Sequence, residues 1–159
     1  MIPVIPLTKR APWKKRILLS IFILALAAAG IYWYIATEKF ADTSDQQADY
    51  TIDAIPFINE FIADDSAANA KYKDKIITVT GTISAIEPAD SATMNVKFVD
   101  TTTGSYVIFA FQEQHIAEAR ELKTGDRVSI KGSFSAGVYS EILGVEKIDF
   151  KRSALDKAN

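Results

Sequence analysis

The segment Ile17 to Ala36, ILLSIFILALAAAGIYWYIA, runs for 20 residues without a charged side chain. A helix rises about 1.5 Å per residue, so the run is about 30 Å long, the thickness of a bilayer's hydrocarbon core. Lys14, Lys15 and Arg16 stand just before it, and Tyr32, Trp33 and Tyr34 lie near its far end. Basic residues on the cytoplasmic side and aromatic rings at headgroup level are the expected flanks of a spanning helix. The expectation is therefore a single-pass signal-anchor over residues 17–36 in the cell (inner) membrane. Residues 1–16 form a basic cytoplasmic N-terminus, and everything after the helix is extracytoplasmic. A second reading stays open: Ala27-Ala28-Ala29 offers a small-residue cleavage site, which would make the segment a removable signal peptide. Both readings export the rest of the chain.

Charge divides along the same line. Residues 1–40 hold six basic and one acidic side chain, 6 − 1 = +5, and residues 41–159 hold the remaining 12 and 19, 12 − 19 = −7. A basic head joins an acidic body. With no cysteine and one histidine, His115, the chain has no disulfide, thiolate site or multi-imidazole site to offer. It carries no calcium-loop motif either, so neither a metal nor a cofactor is expected.

Residues 37–50 read as a polar linker. Over residues 51–72 the pattern turns helical, with Ile52, Ile55, Ile58, Phe61 and Ile62 as the apolar stripe and a first helix from about Asp53 to Asp64. The stripe is expected to dock on the β-rich body C-terminal to it. Asp64-Asp65 reads as the end of that helix, and Ser66 to Tyr72 can add a further turn.

At Lys71 the period changes to two. Ile77, Val79, Gly81 and Ile83 share one face of a first strand, and Met94, Val96 and Phe98 alternate with Asn95 and Lys97 in a second. Tyr106 to Phe111 is a third strand, and Gln112 to Leu122 a short helix with Ile116, Ala119 and Leu122 inward. Arg127 to Ser135 forms a fourth strand. After a turn at Ala136-Gly137, Tyr139 to Phe150 forms a fifth, with a bulge near Gly144. Residues 151–159 read as a polar tail.

ITVTGTISA (77–85) and VSIKGSFSA (128–136) share one pattern, including an interior glycine. Generic strands can match in this way by chance. Yet interior glycines often mark bends at barrel corners, and the order of three strands, helix and two strands supports the same conclusion independently. The expected fold is mainly β: over residues 73–150, a five-stranded Greek-key OB barrel with a helix between strands three and four, after an amphipathic helix and a transmembrane helix.

Residues 50–150 resemble the tRNA-anti-like family of bacterial OB-fold domains. The likeness rests on Phe61, Asp64 and Asp65, then Lys71-Tyr72, Lys75 and Val79-Thr80-Gly81. Leu122, Gly125-Asp126, Val128 and Lys131-Gly132 extend it. These are scaffold positions, and the resemblance implies an OB-fold without supplying catalytic residues. The chain departs from many members in lacking cysteines in the third and fifth strands.

Nucleic-acid binders use basic surfaces, because phosphate neutralisation dominates their affinity. Residues 75–150 hold seven Lys and Arg against ten Asp and Glu, 7 − 10 = −3, which argues against nucleic acid. No nucleophile elbow, phosphate loop or zinc-protease motif is present, so no enzyme is expected. What remains is a binding or interaction module whose partner is another envelope protein, a peptide or a small ligand. Single-stranded or tRNA-like nucleic acid is the alternative. OB-folds bind on strands two and three and the loops beside them, which here selects Asn95, Lys97, Tyr106, Ile108 and Tyr139.

Overall fold

The computed structural model describes residues 13–37, 42–90 and 93–157. The chain separates into two compact units, Met1–Phe40 and Ala41–Asn159. In the first, α1 (Trp13–Thr37) contains the 19-residue stretch Arg16–Tyr34 with mean hydropathy 2.1. It is long and apolar enough to cross a membrane, and none of that stretch is buried within the protein.

The second unit is mainly β. Its seven strands are β1 (Tyr50–Asp53), β2 (Ile76–Thr82), β3 (Ala85–Asp90), β4 (Thr93–Val99), β5 (Tyr106–Phe111), β6 (Arg127–Ser140) and β7 (Val145–Leu155). They form one sheet in the order β1-β2-β6-β7-β5-β4-β3. The β1–β2 and β5–β7 pairs are parallel and the others antiparallel.

The sheet has seven strands where five are expected, for two reasons. Tyr50–Asp53, expected as linker and helix start, instead pairs with Ile77–Thr80. The stretch expected as one first strand is two, β2 and β3, which lie at different places in the sheet. The change of partner occurs at Ile83 and Ser84: Ile83 N–H donates to Asp126 O (2.9 Å), and Ser84 N–H donates to Lys97 O (2.8 Å). The interruption therefore falls two residues after Gly81. The glycine itself serves close packing, since a Cβ there would lie 2.6 Å from the Phe98 ring. The two glycine-bearing strands meet in the β2–β6 pair.

The last hairpin also differs. β6 continues through Ala136-Gly137 to Ser140, and the chain reverses at residues 141–144, where Gly144 takes φ +67° and its N–H donates to Ser140 O (2.7 Å). The bulges fall between Lys131 and Ser133 and between Phe134 and Ala136. Gly137 is small for another reason: the Phe61 ring occupies the space a Cβ would need. Residues 151–155, expected as tail, complete β7.

Two helices precede β2. In α2 (Ala54–Ala63) Pro56 sits in the first turn, where a backbone N–H has no intrahelical partner to lose. Asp53 precedes the helix without capping it and instead accepts from Arg127 (2.9 Å). The buried face is Ala54, Phe57, Ile58 and Phe61, while Ile55 and Ile62 are exposed. The expected stripe is thus turned toward Phe57, because Ile52 belongs to β1 and the helix docks through its aromatic pair. Phe57 and Phe61 lie 5.2 Å apart and both meet Tyr72. Asp64 ends α2 and caps α3 (Asp65–Tyr72), accepting from Ala67 N–H at 2.9 Å. The two aspartates therefore stand at a helix N-terminus, where the dipole favours them, rather than only at a helix end.

The core lies between α2 and the sheet, with Ile77, Val79, Val96, Phe98, Val107, Phe109, Ile130, Ile148 and Phe150 fully buried. Between β5 and β6 come a 3₁₀ turn (Glu113–His115) and α4 (Ile116–Glu121), which bury Ile116 and Ala119 as expected.

Candidate interaction face and polar clefts

Alternation along β4 and β5 sends Val96, Phe98, Val107, Phe109 and Phe111 into the core and the intervening residues to the other side of the sheet. Register then assembles a face. Asn95 pairs with Ala110 and Glu87, and Lys97 pairs with Ile108 and Ala85. Across the parallel pair, Tyr106 lies beside Lys147 and Ile108 beside Asp149. Four of the expected site residues, Asn95, Lys97, Tyr106 and Ile108, are therefore brought together on half-buried sheet.

Two cations of this face, Lys97 and Lys147, are held by carboxylates. Lys97 Nζ is 2.8 Å from Glu87 Oε2 and lies 5.8 Å from the Tyr106 ring centroid, within cation–π range. Lys147 Nζ is 3.1 Å from Asp149 Oδ2. The two ion pairs surround an apolar strip of Tyr106, Ile108 and Ala110.

Tyr139 does not join them. It pairs with Glu146, whereas its neighbour Val138 pairs with Lys147, so Tyr139 points to the opposite side of the sheet. There it lines a cavity of about 180 Å³ with Ile62, Thr103, Ser105, Gly144 and Glu146. The expected turn at Ala136-Gly137 would have set a different register, and a slip of one residue exchanges faces.

A polar cleft of about 310 Å³ lies at the far end of β5, lined by Ser44, Asp45, His115, Glu118, Lys131, Leu155, Asp156 and Lys157. A neighbouring opening of about 550 Å³ adds Thr80, Arg127, Val128 and Ser129. His115, which has no evident partner in sequence, has two here. Its Nε2 lies 2.8 and 2.9 Å from the Asp42 carboxylate oxygens, and its Nδ1 lies 3.5 Å from Glu118. Both ring nitrogens face carboxylates, which makes the imidazole a clasp between Asp42 and α4. Burial acts to raise the Asp42 pKa, but hydrogen bonds from His115, Ser44 and Gln114 outweigh it and hold the carboxyl well below the usual carboxylate range. Lys131 lies 3.5 Å from Asp156 and donates to Ser44 O (3.3 Å), Thr78 donates to Asp156 (2.7 Å), and Lys157 donates to Glu118 (2.6 Å). These contacts span up to 87 residues of sequence, so no local motif announces them. Among the described residues no group of three or more His, Asp and Glu is placed to hold a metal ion.

No curated protein matches this sequence. Among solved structures, the chain is similar to a lipoprotein of Klebsiella pneumoniae whose name proposes nucleic-acid binding. That match has a TM-score of 0.55 at 18% identity and covers 70% of this chain and all of the other. An OBody bound to hen egg-white lysozyme matches at 19% identity and TM-score 0.41, over 54% of this chain and 84% of its own. Asparaginyl-tRNA synthetase of Entamoeba histolytica matches at 15% and 0.37, over 52% of this chain and 21% of the enzyme. At these identities the first likeness speaks to fold alone. The sequence profile of the tRNA_anti-like family matches residues 10–143, which is most of the chain. The chain belongs to the tRNA_anti-like family of OB-fold domains.

Proposed function

We propose that this protein is a membrane-anchored, extracytoplasmic OB module that binds a partner protein, peptide or small ligand on its β4–β5–β7 face and catalyses no reaction. In this reading the sheet closes into a five-stranded barrel, with β2 and β3 as two halves of one strand bent at Ile83-Ser84 and β1 as an added edge strand outside the five. The abrupt change of partner at those two residues supports closure. The length and uniform apolarity of α1 support the anchor, and Lys14, Lys15 and Arg16 before it support an N-terminus kept in the cytoplasm.

One observation carries the choice of partner. Lys97 and Lys147, two cations of the exposed sheet face, are neutralised by Glu87 and Asp149 and flank apolar Tyr106 and Ile108. Phosphate binding would have to break both ion pairs, and the body's charge of −7 (12 − 19) opposes a polyanion at long range. An apolar strip rimmed by paired charges suits a protein or peptide surface better.

The test is retention of a single-stranded oligonucleotide of about 15 nucleotides, a length that fills an OB site, by the full chain in detergent at about 150 mM salt. No retention is expected, and retention that weakens steeply with salt would replace this reading with the nucleic-acid one. A reporter fused after Asn159 is expected to be active only outside the cytoplasm, and cytoplasmic activity would overturn the topology.

A further inference from the structure

Glu146 keeps a buried carboxylate oxygen without a hydrogen bond. The residue is 5% exposed, its Oε2 is shut from solvent, and Oε2 takes no hydrogen bond. Its backbone N–H is bonded to Ser105 Oγ at 3.0 Å, so the strand holds the side chain in place. A buried carboxylate without a partner is costly, and its persistence calls for a reason. A cavity that Glu146 itself lines supplies one. Its walls are Ile62 from α2, the Tyr139 side chain, and the Thr103 and Ser105 turn, with Glu146 among them. The charge of Asp65 reinforces the negative potential felt by Glu146.

We infer that this cavity receives a lysine side chain of a partner polypeptide, its aliphatic stem against Ile62 and Tyr139 and its ammonium at the Glu146 carboxylate. The inference deepens the binding role proposed above by naming a second contact and its chemistry. A volume of about 180 Å³ accommodates a four-carbon stem with its ammonium. A guanidinium fork needs both carboxylate oxygens, of which Oε2 is shut from solvent, and a quaternary ammonium has no N–H to donate. A partner polypeptide is preferred over a free amine because of what surrounds the mouth. The hairpin tip, next to Gly144 of the cavity wall, exposes Ile142 (96%) and Leu143 (65%). A small amine would leave these side chains in water, whereas residues flanking a lysine would cover them. The acidic body draws a basic segment from a distance.

The test uses the isotopically labelled full chain in lipid nanodiscs, titrated with acetyl-Leu-Lys-Leu-amide, with the same peptide carrying norleucine for lysine, and with cadaverine. The lysine peptide is expected to shift the amide signals of Ser105, Tyr139 and Glu146 and to bind at least about tenfold more tightly than the norleucine peptide. That preference is expected to vanish in Glu146→Gln, whose amide spectrum away from the cavity stays that of the parent. Equal binding of the two peptides, or a lysine preference that survives Glu146→Gln, overturns the inference. Cadaverine saturating the cavity as tightly as the peptide overturns the polypeptide source. Shifts confined to Lys97, Tyr106 and Ile108 overturn the cavity while leaving the sheet-face reading intact.

Discussion

Asn69 and Gly137 exchange two hydrogen bonds of 2.8 Å: Asn69 Nδ2–H donates to Gly137 O, and Gly137 N–H donates to Asn69 Oδ1. The side-chain amide behaves as one peptide unit of a missing neighbour strand, at the point where β6 has run past the end of its pairing with β2. It fastens α3 to the sheet and closes an edge that would otherwise be open.

Asn69→Leu keeps the approximate volume but leaves both Gly137 groups unpaired. Unsatisfied, partly buried backbone groups cost about 1–3 kcal/mol, and a loss in that range is expected from urea unfolding of the body. Asn69→Asp keeps an acceptor but removes the donor, and is expected to fall between the parent and the leucine variant.

Gly137→Ala forces a Cβ into the Phe61 ring. Overpacking of this kind costs about 1–3 kcal/mol. The clash belongs to a pair, so Gly137→Ala in a Phe61→Leu background is expected to cost less than the sum of the single changes. A double-mutant cycle of denaturation midpoints measures the coupling. Additive effects would mean that the glycine is required for some other reason.

These two positions show what the sequence could and could not disclose. Alternation in Met94–Phe98 located β4 and put Asn95 and Lys97 on one side, while the apolar run Tyr106–Phe111 located β5, where period two keeps Tyr106 and Ile108 together, a local property. Ala136-Gly137 resembled a turn, yet its glycine answers to Phe61, 76 residues earlier. That misreading moved the hairpin and put Tyr139 on the wrong face. β1 is four residues long and parallel to its partner, so neither length nor a hairpin signal marks it. Asp42 reaches His115 across 73 residues. Such contacts are products of the finished fold.

The Asp42–His115 clasp makes stability depend on pH in a defined direction. The Asp42 pKa is depressed in the folded state from its ordinary 3.8. A depressed carboxyl contributes fully above the unfolded value and loses its contribution as pH falls toward the folded one. The stability difference between the parent and Asp42→Asn is therefore expected to shrink as pH falls below 3.8. Denaturation midpoints across acid pH test this, and a difference that grows on acidification contradicts it.

Glu146 runs the other way. Burial, reinforced by the Asp65 charge, raises its pKa above the ordinary 4.5, so the folded state resists ionising it. Below pH 4.5 both states are protonated and nothing is lost; as pH rises the unfolded state ionises first and the folded state falls behind. Glu146→Gln is therefore expected to stabilise the body at neutral pH and to match the parent in acid. A destabilised variant at neutral pH would mean that the carboxylate has a partner in the folded protein.

The measurement that bears most directly on the binding role is photocrosslinking in intact cells from position 106, with p-benzoylphenylalanine in place of Tyr106. The ring projects from the sheet beside Lys97 and Lys147, so whatever occupies the face comes within reach. The expected result is an adduct that a protease destroys and nucleases leave unchanged, formed only when the label is on this face and absent when it replaces Thr124 in the exposed turn before β6. An adduct at position 106 that nucleases remove would contradict the account.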